Sequence, residues 1–153
     1  MATDYGHWNR FNLDKRLIFE TRSWLVVTRP HQITLGSCVL LLKRPVTAIR
    51  EVKSAEFNNL RVAIRRYEQL VDHAFGPTKY NYVISGQKDP FVHLHAIPRY
   101  DQTAAQRFAE HDWHDSDWPF FPDFPRTLVP TDGWLLDEVT KTLHGGVKRW
   151  LRR

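Results

Sequence analysis

Two histidines, His93 and His95, stand two positions apart in the apolar stretch "FVHLHAIPRY", Phe91 to Tyr100. In an extended strand alternate side chains share a face, so Phe91, His93 and His95 project to one side and Val92, Leu94 and Ala96 to the other. The second set is apolar and can pack beneath a helix. That leaves two imidazoles side by side on the opposite face. A lone histidine on a strand is most simply a hydrogen-bonded structural residue, whereas a pair on one face suits chemistry better. Two chemistries use such a pair. A metal site would take both rings as ligands but needs a third or fourth ligand and a supporting shell. The run His111-Asp112-Trp113-His114 offers ligand types without a regular ligand spacing. Alternatively, a neutral imidazole attacks phosphorus to form a covalent histidine adduct while its neighbour donates to the phosphate oxygens.

Several elements must position these residues. "RLIFETRSWLVVTRP" and "QITLGSCVLLLKRPV" are rich in Val, Leu, Ile and Trp and are separated by Arg29-Pro30-His31, which predicts an antiparallel hairpin. "SAEFNNLRVAIRRYEQLVDHAFG" predicts a helix, with Ser54 and Glu56 in the N-cap region, Leu60, Ile64, Tyr67 and Val71 on one side, and Gly76-Pro77 as its stop. "KYNYVIS" and "FVHLHAIPR" are two further strands joined by the turn-like Gly86-Gln87-Lys88-Asp89-Pro90. The order strand, strand, helix, strand, strand predicts an α+β fold, a mostly antiparallel sheet of about five strands with a helix over one face. Beyond Tyr100, "AEHDWHDSDWPFFPDFPRTLVP" is too aromatic for a disordered linker and too rich in proline for regular structure, so an ordered loop is expected. "GWLLDEVTKTLHGGVKRWLRR" predicts a C-terminal helix weakened at Gly145-Gly146.

Composition narrows the function classes. The chain has 153 residues, with six Trp, nine Phe and five Tyr, and suits a single domain over 1–153 with its own core. Cys38 has no partner for an internal disulfide, which fits a reducing cytoplasm. No stretch approaches the ~20 apolar residues of a membrane span, and the N-terminus has no apolar segment of signal type. A protein without a membrane role is expected. The net charge of +5 is local rather than spread. Lys148, Arg149, Arg152 and Arg153 close the terminal helix, where cations suit the helix dipole, and Arg61, Arg65 and Arg66 lie on the central one. No specific nucleic-acid partner follows from that pattern.

"HLHAIPR" after "GQKDPFV" resembles the signature of the histidine triad (HIT) superfamily, His-x-His-x-His followed by two apolar residues and often Pro-Arg. "LVVTRPHQITLGSCVLLLKRPV" is similar to the family's first hairpin, and Gly86-Gln87 resembles the Gly-Gln of the fragile histidine triad branch. The likeness runs from Leu17 to Tyr100, and the aromatic extension is similar to one in a bacterial branch that resembles diadenosine polyphosphate hydrolases. The resemblance implies a HIT-like fold and a hydrolase or nucleotidyl transferase acting at the α-phosphate of a nucleotide. Dinucleoside polyphosphates or nucleoside phosphoramidates are the implied substrates. His93 would carry the covalent nucleotidyl group and His95 would donate to phosphate oxygens. Gln87 and Asn81 match positions near the phosphates or ribose. No cofactor is implied in the protein itself, with Mg2+ entering only alongside the substrate, and a homodimer is implied as partner state.

Two imidazoles of the family pattern are replaced. The first triad position is Phe91, and the family's Gly-His of the first hairpin reads Gly36-Ser37. Phe91 still offers a carbonyl to hold the tautomer of His93, but no polar side chain at the edge of the site. Arg99 is a candidate for bidentate phosphate binding or for an ion pair with a nearby acid. Ser37 is a candidate ligand contact or an ordinary turn residue, and Lys43 and Arg44 could draw in an anion or simply solvate a turn. A nucleotide-binding protein without turnover, and a metal-dependent enzyme using the His-x-His pair, are the alternatives.

Overall fold

Alternation along the strands decides the architecture. The computed structural model describes residues 5–101, 106–123 and 131–150. Strands β1 (Leu17–Glu20), β2 (Trp24–Thr28), β3 (Cys38–Leu42), β4 (Lys79–Val83) and β5 (His93–Arg99) form one antiparallel sheet in the order β1-β2-β3-β5-β4. The expected first strand is thus two strands. The chain turns at Thr21, whose N–H donates to the Trp24 carbonyl at 2.8 Å, and Asn59 accepts from both the Thr21 hydroxyl and the Ser23 N–H at 2.7 Å. No Gly or Pro marks this turn, because a side chain from the central helix holds it.

Register sets the two faces. Val39 pairs with His95 and Leu41 with His93, so odd-numbered residues of β3 and β5 share one side. On the other side Cys38, Leu40, Leu42, Val92, Leu94 and Ala96 pack beneath α2 (Ser54–Phe75) through Leu60, Ala63, Tyr67 and Val71. Lys53, not Ser54, occupies the N-cap of this helix, and the Glu56 carboxylate accepts the Lys53 N–H at 2.8 Å. Gly76 closes it at φ 60°, a left-handed cap that suits glycine. Burial pushes the Cys38 thiol pKa up, which keeps it an apolar core residue rather than a nucleophile.

The odd face is covered by a segment with no period to announce it. A 3-10 helix, Gly6–Phe11, and a single turn, α1 (Leu13–Arg16), lie against Leu25, Val27, Val39 and Leu41. Trp8 is fully buried there and its indole N–H donates to the Leu42 carbonyl at 2.8 Å. The terminal helix α3 (Gly133–Trp150) is continuous through Gly145-Gly146. A Cβ on Gly146 would lie 2.7 Å from Leu70 Cδ2, so this glycine permits close approach of α3 to α2 instead of breaking the helix.

The aromatic stretch is more regular than expected. β6 (Gln106–Phe108) and β7 (His111–Trp113) form a hairpin whose two turn residues, Ala109 and Glu110, take φ of 51° and 61°. Both angles belong to the tight turn whose twist matches paired strands. Phe108 packs edge-on against Phe75, with ring centroids 5.2 Å apart, which ties the hairpin to α2. Residues 124–130 of the same stretch lie outside the described residues. Among the described residues no helix is long and apolar enough to cross a membrane.

Candidate active site

β5 begins at His93, immediately after the turn that carries Lys88 and Asp89, so its first two odd-numbered residues open into a cavity rather than a packed layer. The cavity holds about 310 Å³. Phe11, Pro30 and Val39 form its apolar wall; Arg10, Arg29, Lys88 and Asp89 supply charge; Ser85, His31, His93 and His95 complete it. Arg10 and Asp89 are ion-paired at 2.5 Å, which links the N-terminal segment to the β4–β5 turn across the cavity rim.

The two imidazoles meet edge to face, with centroids 5.0 Å apart and planes at 81°. His93 is buried between the rings of Trp8 and Phe11, at 5.8 and 6.5 Å. Its Nδ1 lies 2.7 Å from the Phe91 carbonyl. A carbonyl can only accept, so Nδ1 carries the proton and Nε2 is left as the basic nitrogen. His95 is held well below the ordinary imidazole pKa, at about 3, by burial first and then by His93 and Arg29. It is neutral at physiological pH and can donate one N–H without carrying charge.

The other candidate residues divide. Phe91 contributes its carbonyl, while its ring packs with His7 and Trp8 at 5.1 and 5.7 Å instead of lining the cavity. Gln87 is exposed in the turn between the lining residues Ser85 and Lys88 but does not itself line the space. Asn81, Arg99 and Ser37 lie elsewhere. Arg99 is buried and binds the Asp115 carboxylate through two nitrogens at 2.6 and 3.1 Å, Asn81 Oδ1 at 2.7 Å and the Phe120 carbonyl at 2.7 Å. Of its two readings, the ion pair is the one present. The Ser37 hydroxyl donates to the Thr34 carbonyl at 2.7 Å and accepts from the Thr34 N–H at 3.1 Å, which commits it to its own turn. Lys43 and Arg44 are likewise bound to Glu20 and Glu56.

For the metal alternative, the His111–His114 run sits on the β6–β7 hairpin, where His111 packs against Trp134 at 5.4 Å. Among the described residues no group of three or more His, Cys, Asp or Glu side chains comes together to hold a metal ion. The cavity residues that sequence reasoning missed are Arg10, Phe11, Arg29, His31, Val39, Ser85, Lys88 and Asp89. Arg29 and His31 had one signal, their place in the connection between the first two predicted strands.

An antiparallel five-stranded sheet with a paired-histidine strand, one covering helix and a cavity over the imidazoles characterises the fold. The fold is that of the histidine triad proteins. A histidine triad protein of Marinobacter aquaeolei superposes with a TM-score of 0.69 at 20% identity, covering 92% of this chain and 94% of that one. A hypothetical histidine triad nucleotide-binding protein of Sulfolobus tokodaii does so with a TM-score of 0.68 at 13% identity, covering 97% and 93%. In sequence the chain is 22% identical over 98 residues to the asymmetrical bis(5'-nucleosyl)-tetraphosphatase of Schizosaccharomyces pombe, 61% of this chain and 54% of that protein. It therefore spans about half the length of that curated relative. No protein-family model matches the sequence.

Proposed function

We propose that this protein is a nucleotide hydrolase or nucleotidyl transferase that works through a covalent nucleotidyl group on His93. The observation that carries the proposal is the 2.7 Å contact between His93 Nδ1 and the Phe91 carbonyl. It sets the tautomer a nucleophilic imidazole needs, at the wall of a cavity large enough for a nucleotide fragment. Nε2 attacks the α-phosphorus, an N–P bond forms, and the bond to the leaving group breaks with its electron pair. Water then cleaves the N–P bond, releasing the nucleoside monophosphate and restoring His93. The His95 N–H supports the charge that develops on the phosphoryl oxygens. The likeness to a curated dinucleoside tetraphosphatase supports a dinucleoside polyphosphate as the substrate to try first.

The test compares wild type with His93→Ala on diadenosine tetraphosphate and on an adenosine phosphoramidate, following AMP release and adenylyl label retained on denatured protein. Removal of a nucleophile costs about 10⁴-fold or more in turnover, and the retained label should vanish with it. Equal AMP release from the two proteins would overturn the assignment of His93. Nucleotide binding without turnover in wild type would make this a binding protein.

A further inference from the structure

The cavity holds a third imidazole that the chemistry of His93 and His95 leaves unused. His31 lines the same space but comes from the connection between β2 and β3. Its backbone is fixed on both sides. Pro30 precedes it with a locked φ, and the Arg29 guanidinium donates to the His31 carbonyl. The Gln32 side chain donates to the Arg29 and Ser37 carbonyls at 2.8 and 2.7 Å and accepts from the Gly36 N–H at 2.9 Å. The Gln32 N–H donates to the Thr131 hydroxyl at 3.0 Å. The ring is held differently from the chain that carries it. His31 Nδ1 is enclosed and has no hydrogen-bond partner among the described residues. Buried polar atoms are ordinarily bonded, and an exception calls for an explanation such as a catalytic role.

The charged and titratable groups that face this space with His31 are Arg10, Arg29, Lys88, Asp89, His93 and His95. His93 Nδ1 is bound to the Phe91 carbonyl, and its Nε2 must keep a lone pair for phosphorus. Burial holds His95 at about 3, so it takes up no second proton at neutral pH. Arginine and lysine side chains keep their protons there, and Asp89 is committed to Arg10. Among the titratable side chains of the cavity, His31 is left to carry a proton in both directions. Histidine suits that task because its charge ordinarily changes near neutral pH, and an anionic substrate favours a charged ring beside it.

Building on the nucleotidyl-histidine reading of the same site, we propose that His31 is its acid–base residue, which gives a proton to the leaving group and takes one from the water that releases the nucleotide. In the first step His93 Nε2 bonds to phosphorus, the bond to the leaving atom breaks with its electron pair, and the His31 proton passes to that atom. In the second, the oxygen of water bonds to phosphorus, its proton passes to His31, and the N–P electron pair returns to His93. One proton leaves the ring and one comes back. An amine leaving group needs that proton, whereas p-nitrophenolate departs without one.

The test compares wild type with His31→Gln on an adenosine phosphoramidate and on the p-nitrophenyl ester of AMP, with thermal melting to establish folding. Loss of a general acid predicts a kcat/KM for the phosphoramidate lower by roughly 100-fold or more, with kcat/KM for the ester unchanged. On the ester, loss of the base should instead lower kcat and let adenylyl label accumulate on the protein. A folded His31→Gln whose kcat/KM falls equally on both substrates, or on neither, overturns the proposal. Should that variant not fold, His31→Asn is read by the same criteria. If neither folds, the solvent deuterium isotope effect on kcat/KM of wild type decides. An effect confined to the phosphoramidate supports a proton in flight to the leaving group, and equal effects on the two substrates overturn it. Release of AMP from the ester by His93→Ala at the wild-type rate sinks the nucleotidyl-histidine reading, whereas equal losses in His31→Gln beside an inactive His93→Ala remove His31 alone.

Discussion

The two ends of β5 are built for different purposes. At the C-terminal end Arg99 is enclosed by the Asp115 carboxylate, Asn81 and the Phe120 carbonyl, and the ion pair is 3% and 2% exposed. At the N-terminal end His93 and His95 face a cavity of about 310 Å³. Burial alone therefore does not identify a working residue. What separates the ends is whether the polar side chains close on one another, as Arg99 and Asp115 do, or face space that a ligand can fill.

The comparison can be broken first at the closed end. Asp115→Ala leaves the Arg99 guanidinium buried without its carboxylate, a change that costs about 3–5 kcal/mol. Urea denaturation should show that loss. Replacing both partners, as Arg99→Met with Asp115→Leu, should recover most of it, since a buried pair exchanged for apolar side chains is often neutral. Single-mutant stability close to wild type would mean that the closed end is not a structural lock.

Acidification probes the open end. The folded-state value for His95 is about 3, against about 6.5 for an unperturbed imidazole. Between these values the unfolded chain binds more protons than the folded one, so stability rises with pH across the window and is lost as pH falls below about 6.5. Going from pH 7 to pH 5 should cost about 1–2 kcal/mol through this residue, read as a lower Tm. His95→Gln should flatten that dependence; an unaltered pH profile in the variant would place the titration elsewhere.

The smallest effect returns to the turn beside the closed end. Ser37→Ala removes two hydrogen bonds with Thr34, worth about 1 kcal/mol. It should leave kcat/KM unchanged. A large loss of activity at full stability would instead restore Ser37 to the site.

The sequence made the α+β plan and the histidine pair legible for a physical reason. Period-2 alternation in "FVHLHAIPR" and the helical spacing of Leu60, Ile64, Tyr67 and Val71 are local signals, and both hold in the structure. What could not be read depends on contacts between distant positions. The β1–β2 turn is held by Asn59, 38 positions from Thr21. Arg99 meets Asp115 at a separation of 16 positions, with the β6–β7 hairpin between them. Trp8 and Phe11 reach His93 from a 3-10 segment too short for a hydrophobic period. The Gly145-Gly146 pair was locally a weakness, and only the proximity of Leu70 explains a glycine there.

The carbonyl of Phe91 carries a further consequence. The group that sets the protonation of His93 belongs to the main chain, so any amino acid able to keep that backbone path supplies it. Position 91 is then chemically redundant with respect to its side chain. Its ring is free to serve the aromatic cluster with His7 and Trp8. A signature spelled in side-chain letters overlooks such a contribution, because the instruction is written in the peptide bond.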